Sequence, residues 1–246
     1  MGVVKLNMAK VLESTAGNSM FLDVPKDGEI RVRLLPPMEG SNGNIWFLTE
    51  NHFRLKAEDG EKGIAVACRK RHADGDDCLL CDVAKFLENS DDAQERKLGK
   101  GREALAANRS WYTQVLLVTK EDGKFVAGPP KLLRLPKTAA DAVNGILQSQ
   151  MKNDDGLSCM PEAAQDITIK RQDTGTNITK YTAMPSGKPT ALADYLPDWE
   201  TKVMTVEQVW EKLDLKVLSN EEQAAALTRS YPLLDVPAIL KELGYV

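Results

Sequence analysis

The amino-acid sequence predicts a mainly β fold with helices. Three observations carry this prediction: short segments with strand patterns recur between turn signals, a polar cysteine-containing segment interrupts them, and the pattern becomes helical from Ala191 onward. The chain has 246 residues, of which 42% are hydrophobic and 28% charged. A soluble chain of this size and composition can bury a core of its own.

The first predicted strand lies in the segment GEIRVRLLPP, at residues 28–37. Apolar Ile30 and Val32 alternate with charged Arg31 and Arg33, and a period of two is typical of a strand with one face in the core. We therefore expect both arginines on the outward face. The two prolines that close the segment end the strand.

Two more strands and a helix follow. The segments NIWFLTENHF (44–53) and EKGIAVAC (61–68) each come after a glycine-containing turn signal. From residue 78 the segment CLLCDVAKFLEN has a helical pattern, and Asp77 is the expected N-cap. The charged segment 90–110 fits either a loop or a loose helix.

The central part of the chain predicts two hairpins separated by a helix. Residues 111–135 (WYTQVLLVTKEDGKFVAGPPKLLRL) indicate strand, turn and strand. Residues 137–150 have the period of an amphipathic helix, and residues 166–185 indicate a second hairpin around the turn DTGTN. Many short strands favour a small barrel or sandwich. The helices between the strands favour an OB-fold-type barrel over an immunoglobulin-like sandwich.

The end of the chain is predicted to be helical and acidic. Capping boxes that start at Thr205 and Ser219 each begin a helix. Pro237 fits the start and Gly244 the end of a third. The expected organisation has three parts: an N-terminal arm (1–27), an OB-fold core (28–190) that contains a metal-binding subdomain at about 50–90, and a helical C-terminal region (191–246).

Three of the four cysteines, Cys68, Cys78 and Cys81, lie in one polar segment with the spacing Cys-x9-Cys-x2-Cys. Zinc prefers four tetrahedral ligands drawn from thiolate and imidazole, so this spacing predicts a structural Zn²⁺ site that needs one more ligand. His72 is close in sequence to the cysteines. His52 lies at the end of a predicted strand, and the strand expected to pair with it ends at Cys68. The sequence favours His52 over His72 as the fourth ligand only modestly. We expect the fourth cysteine to be a lone, semi-buried thiol.

The motifs of common enzyme classes are absent from the sequence. There is no His-Glu-x-x-His pair, no phosphate-binding Gly-x-x-x-x-Gly-Lys loop and no deaminase signature around the cysteines. A site with four protein ligands also leaves no position for a reactive water. We therefore expect a protein that is not an enzyme. No apolar run approaches ~18 residues and the start is unlike a secretory signal, which predicts a cytoplasmic setting.

Charge is unevenly distributed along the chain. The net charge is −4, yet residues 96–137 hold ten basic and three acidic side chains, whereas the end is acidic. A basic segment of this kind is compatible with an anionic partner such as nucleic acid, and equally with an ordinary solvated surface.

The runs IRVRLLPP, ENHF and RSWYTQVLLV, together with the cysteine spacing, resemble the zinc-containing single-stranded DNA-binding (helix-destabilising) proteins of T-even-type bacteriophages. The resemblance covers residues 28–190. It implies an OB-type barrel with a zinc subdomain, and one structural Zn²⁺ held by His52, Cys68, Cys78 and Cys81. It also implies that single-stranded DNA binds in a basic, aromatic-lined cleft.

The resemblance further implies a role in DNA replication, recombination or repair inside an infected bacterial host cell. Expected partners are single-stranded DNA, other copies of the protein along the strand, and phage replication proteins that contact the C-terminal region. The first ten residues lack the family's Lys/Arg-rich motif, and the apolar end LLDVPAILKELGYV differs from the family's acidic tail.

Binding a single strand without reading its sequence needs cations for the phosphates and flat side chains for the bases. Trp111 and Tyr112 are neighbours on a strand and must point to opposite faces, so we expect only one of them to stack on DNA. The residues that we expect to contact DNA are Arg31, Arg33, Phe53, Lys97, Lys100, Arg102, Arg109, Trp111, Tyr112, Lys131, Arg134, Lys137 and Tyr181.

A second hypothesis also fits the sequence. The negative net charge and the helical end are compatible with a zinc-stabilised protein–protein interaction module that has no nucleic-acid site of its own.

Overall fold

A computed structural model describes residues 19–72, 77–100, 105–175 and 179–245. The described strands are β1 (Phe21–Leu22), β2 (Glu29–Leu34), β3 (Phe47–Lys56), β4 (Gly63–Ala67), β5 (Asn108–Glu121), β6 (Lys124–Leu135), β7 (Ala164–Asp173) and β8 (Thr179–Thr190). The described helices are α1 (Arg69–His72), α2 (Leu79–Glu88), α3 (Ala93–Gly99), α4 (Lys137–Lys152), α5 (Val206–Leu213), α6 (Asn220–Ser230) and α7 (Val236–Glu242).

The chain forms two compact units. Unit 1 combines the described residues up to Phe47 with Trp111–Val206, and unit 2 combines Leu48–Ser110 with the described residues from Glu207 onward. Each unit is therefore built from two separate segments of sequence.

Unit 1 is built on a mixed sheet in the strand order β1-β6-β5-β2-β7-β8. The pair β1–β6 is parallel, and the other pairs along this path are antiparallel. Its core lies on one face of the sheet, where Ile30 and Val32 of β2 pack with Ile167 of β7 and with Ala140 and Val143 of α4. On the other side, Leu35 and Leu116 pack with a segment of short 3-10 turns that begins at Leu192.

Unit 2 contains the antiparallel β3–β4 hairpin and six helices among its described residues. Its core joins Leu55 and Val66 of the hairpin to the apolar face of α2, and α6 and α7 pack on the same core through residues such as Leu227 and Ile239. A Cβ on Gly99, at the end of α3, would overlap the backbone nitrogen of Glu88. Only glycine therefore allows α3 to approach the end of α2 this closely.

The predicted class, mainly β with helices, is confirmed: the described residues form eight strands in a mixed sheet and seven helices. The capping box at Ser219 begins α6 as expected. Closure into an OB-fold-type barrel stays a prediction, because the strand pairing among the described residues runs as an open path from β1 to β8. The expected boundaries of the arm, core and C-terminal region also stay predictions, and residues 1–18 of the arm lie outside the described residues.

Two local predictions are wrong. The N-cap of α2 is Cys78, in an extended conformation and without a side-chain capping bond, whereas we expected Asp77. The predicted outward position of Arg33 is also wrong, because this side chain is 0% exposed. It is buried because the Asp166 carboxylate of β7 and nearby backbone carbonyls bind its guanidinium. The segment 90–110, left open between loop and helix, contains the helix α3.

No helix in the described part of the chain has the length and apolar character that crossing a membrane requires.

Candidate metal centre and nucleic-acid surface

Four potential metal ligands converge in unit 2. One nitrogen or sulfur atom from each of His52, Cys68, Cys78 and Cys81 lies within 4.8 Å of the others, and three of the four residues are buried. This group is the one that the resemblance implied. The described residues bring together the three cysteines of the predicted segment and a histidine that lies outside it.

The β3–β4 hairpin positions the first two ligands. His52 pairs with Val66 across the hairpin, and the N–H of Cys68 donates to the carbonyl oxygen of Glu50 at 2.8 Å. The register shifts between His52 and Leu55, where Arg54 has a φ of +65°. Such a bulge bends a strand and changes the direction of its side chains.

The first turn of α2 positions the other two ligands. Cys78 is the N-cap residue and Cys81 lies three residues later, so their side chains lie about one helical turn apart. The amide groups at a helix start are a positive end of the helix dipole, which favours thiolates there.

Three distances within this group are close to those of a tetrahedral zinc site. The sulfurs of Cys68 and Cys81 lie 3.6 Å apart, and Nε2 of His52 lies 3.3 Å from the sulfur of Cys78 and 3.7 Å from that of Cys81. Ligand atoms of a tetrahedral zinc with bonds of about 2.0–2.3 Å lie about 3.5–3.8 Å from each other. Three thiols and one imidazole are also the donors that zinc prefers, so these residues fit the ion.

The electrostatics of the four side chains point the same way. Burial disfavours the imidazolium form of His52, but hydrogen bonds with Cys68 and Cys78 outweigh it and raise the pKa to about 9. Hydrogen bonds from Cys68 and Cys81 lower the pKa of Cys78, whereas contacts with Cys68 and Cys78 raise the pKa of Cys81. A divalent cation bound by the four side chains would favour the thiolate form of all three cysteines.

Two residues outside the four ligands orient them. Nδ1 of His52 lies 2.6 Å from the carbonyl oxygen of Leu105, so its N–H donates there and Nε2 is left to face the sulfurs. Gln223 of α6 is fully buried, accepts the N–H of Leu80 at 3.3 Å, and has its Oε1 3.7 Å from the sulfur of Cys78. Sequence reasoning missed both contacts, because they join positions far apart in the chain.

His72, the alternative fourth ligand, is engaged elsewhere. Its Nε2 accepts the N–H of Glu50 at 3.0 Å, and its ring centroid lies 4.9 Å from that of Trp210. Burial and the positive charge of Arg71 lower the pKa of His72. Cys159 is buried in the core of unit 1, as a thiol whose pKa burial raises.

The predicted DNA-contact residues differ in accessibility. Arg33, Tyr112 and Lys131 are buried. Tyr112 packs edge-to-face on Phe21, with ring centroids 6.4 Å apart. DNA contacts by these three residues stay predictions.

The other three predicted aromatic contacts are half-buried. Trp111 and Tyr181 pack at the border of the unit 1 core, where burial raises the pKa of Tyr181. Phe53 lies on β3, next to His52. Of the neighbours Trp111 and Tyr112, Trp111 is thus the more accessible.

Most of the predicted basic contacts are exposed. Lys97 lies on α3 and Lys100 follows it, and Arg109 forms an ion pair with Glu50 at 2.6 Å. Arg134 and Lys137 bind Asp23 and Asp141. Arg102 lies outside the described residues.

Arg31 is half-buried and binds Asp166, with 2.7 Å between Nη2 and Oδ2. Its guanidinium also covers the ring of Phe125, with Cζ 3.7 Å from the ring centroid. Sequence reasoning missed Phe125. The available signal was an aromatic residue close to a hairpin turn, in the run KEDGKF.

One comparison with known proteins identifies a family for this chain. A comparison with individual curated proteins gives no match. A family model described as "gp32 DNA binding protein like" matches residues 26–229, which include all four candidate metal ligands and parts of both compact units. This match spans most of the chain and confirms the resemblance seen in the sequence. The chain therefore belongs to the family of gp32-like DNA-binding proteins.

Proposed function

We propose that this protein binds single-stranded DNA without sequence specificity, in a basic, aromatic-lined cleft, and holds one structural Zn²⁺. The observation that carries the proposal is the match to the gp32-like DNA-binding family over residues 26–229, which contain the buried group of one histidine and three cysteines. The proposed role is that of a binding protein rather than an enzyme, in DNA replication, recombination or repair.

The accessible side chains support this function on physical grounds. Lys97, Lys100, Arg109, Arg134 and Lys137 are exposed. Exposed ion pairs such as that of Arg134 with Asp23 contribute about 0–1 kcal/mol, so these cations can exchange their carboxylate partners for phosphates. Trp111, Phe53 and Tyr181 are half-buried and supply candidate faces for bases.

Zinc bound by His52, Cys68, Cys78 and Cys81 would be structural. All four positions of a tetrahedral ion would be filled by protein atoms, so none remains for substrate or water. The ion would link the β3–β4 hairpin to the first turn of α2, and its binding free energy would add to the stability of unit 2.

The proposed setting is the cytoplasm of an infected bacterial host cell. Further proposed partners are other copies of the protein along the strand, and phage replication proteins that contact the C-terminal region 191–246. The proposed organisation is an N-terminal arm (1–27) followed by an OB-fold core (28–190). The OB-fold core is the part that we propose binds DNA.

The test is a fluorescence-anisotropy titration of the zinc-loaded protein with labelled single-stranded oligonucleotides of mixed sequence and increasing length. We expect tight binding that differs little between sequences and weakens steeply as salt increases, because phosphate contacts release counterions. Absence of binding at low salt would favour the interaction-module hypothesis. Preference for one duplex sequence would contradict both.

A further inference from the structure

Phe125 is an exposed aromatic side chain held in a fixed environment. It lies near the start of β6 and is 45% exposed. The guanidinium of Arg31 covers one side of its ring, with Cζ 3.7 Å from the ring centroid, a distance typical of a cation–π contact. The remaining exposed surface of the ring faces solvent.

The contacts of Arg31 fix the position of this guanidinium. Nε donates to Oδ2 of Asp166 at 2.8 Å. Gly187 has a φ of +78°, and a Cβ atom added to it would lie only 2.5 Å from Nη2 of Arg31. The backbone of Gly187 therefore leaves just enough room for the guanidinium, and Arg31 in turn supports the ring of Phe125.

One neighbour extends this exposed surface. Lys120 is the cross-strand partner of Phe125, and its Nζ lies 6.0 Å from the ring centroid. We call Phe125, Arg31 and Lys120 the Phe125 platform.

Resting on the proposed single-stranded DNA-binding function, we propose that the Phe125 platform is a base-stacking subsite. A nucleobase lies on the solvent side of the Phe125 ring, and Lys120 contacts the adjoining phosphate. Aromatic faces bind bases of any sequence, and a lysine beside the ring adds the cation that the strand needs. Arg31 is a positioning residue in this subsite, because Asp166 binds its guanidinium, which covers the other side of the Phe125 ring.

Variants of Phe125 test the proposal through the need for a flat ring. We expect Phe125→Leu to weaken binding of a short dT oligonucleotide about 5- to 150-fold, whereas Phe125→Tyr retains the affinity of the unsubstituted protein. The matched control is Met151→Ala, on α4 of the same unit, which removes a side chain of 66% exposure and should leave affinity unchanged. Thermal unfolding of each variant reports whether it folds.

Photocross-linking of the unsubstituted protein gives a second readout. We expect a dT oligonucleotide that carries 5-iododeoxyuridine to cross-link at Phe125, located by mass spectrometry of the tryptic peptides. If the protein binds DNA, yet Phe125→Leu has normal affinity and cross-links map elsewhere, the subsite is overturned while the proposed function stands. If the unsubstituted protein does not bind, the proposed function itself fails and the subsite fails with it.

Discussion

Arg33 and Asp166 form a buried ion pair, with Nε of the arginine 2.9 Å from Oδ1 of the aspartate. The same carboxylate binds Arg31 and accepts the hydroxyl of Tyr195 at 3.1 Å. Asp166 thus anchors three side chains from two other segments of unit 1, and it is 1% exposed.

Asp166→Ala should lower the free energy of unfolding by about 3–5 kcal/mol, because it leaves the Arg33 charge buried without its carboxylate partner. Urea denaturation measures the change. The control is Asp141→Ala, which removes an exposed pair with Lys137 and should cost less than about 0.5 kcal/mol. Similar losses in the two variants would contradict the role of burial.

His52→Ala should lose zinc, whereas His72→Ala should keep it. Nε2 of His52 faces the sulfurs at 3.3 Å and 3.7 Å, while that of His72 accepts a backbone N–H. Metal analysis after dialysis should find one zinc per chain in the unsubstituted protein and in His72→Ala. Loss of zinc from His72→Ala alone would show that the ligand assignment is wrong.

Removing zinc should loosen unit 2 and leave unit 1 largely unaffected. Protons compete with the metal for thiolates and imidazole, so mild acid should act like a strong chelator. Hydrogen exchange followed by mass spectrometry should show faster exchange in β3, β4 and α2, with β7 and β8 as the internal control. An equal increase in exchange in both units would contradict a metal site that stabilises unit 2 alone.

Gln223→Leu should both destabilise the protein and speed metal release. The substitution leaves the N–H of Leu80 and the carbonyl of Leu218 without their partner, at about 1–3 kcal/mol for each buried group. Guanidinium denaturation and the rate of zinc transfer to a chromogenic chelator measure the two effects. Thr228→Ala, an exposed position on the same helix, is the control and should change neither.

Lys97→Gln and Lys100→Gln should each reduce the salt dependence of DNA binding. For single strands the slope of log K against log salt changes by about 0.7 for each phosphate that the protein no longer neutralises. Lys241→Gln, an exposed position near the end of α7, should leave the slope unchanged. Equal slopes in all three variants would remove α3 from the proposed DNA surface.

The sequence predicted what is local and periodic. The strand β2, the hairpin of β5 and β6, and the capping box at Ser219 each depend on neighbours within a few residues, and all are present. The Cys-x9-Cys-x2-Cys spacing correctly predicted that the three cysteines come together. The reason is the same, because the end of a strand and the start of a helix lie close in sequence here.

Contacts between residues far apart in the chain could not be predicted from such local patterns. The alternating pattern predicted that Arg33 points outward. Its burial depends on its ion pair with Asp166, which lies 133 residues away in the chain. Gln223 and Leu105 reach the metal ligands through packing that no short pattern encodes. Phe125 was overlooked because core packing is the usual role of an aromatic residue on a strand.

The two-segment construction of unit 2 has a consequence for how the protein is made. His52 and the three cysteines leave the ribosome more than a hundred residues before Gln223 and the helices that cover them. Until then their side chains are open to oxidants and to competing metals. An early zinc would hold the hairpin and α2 together during synthesis, and the later helices would close over a centre that is already assembled.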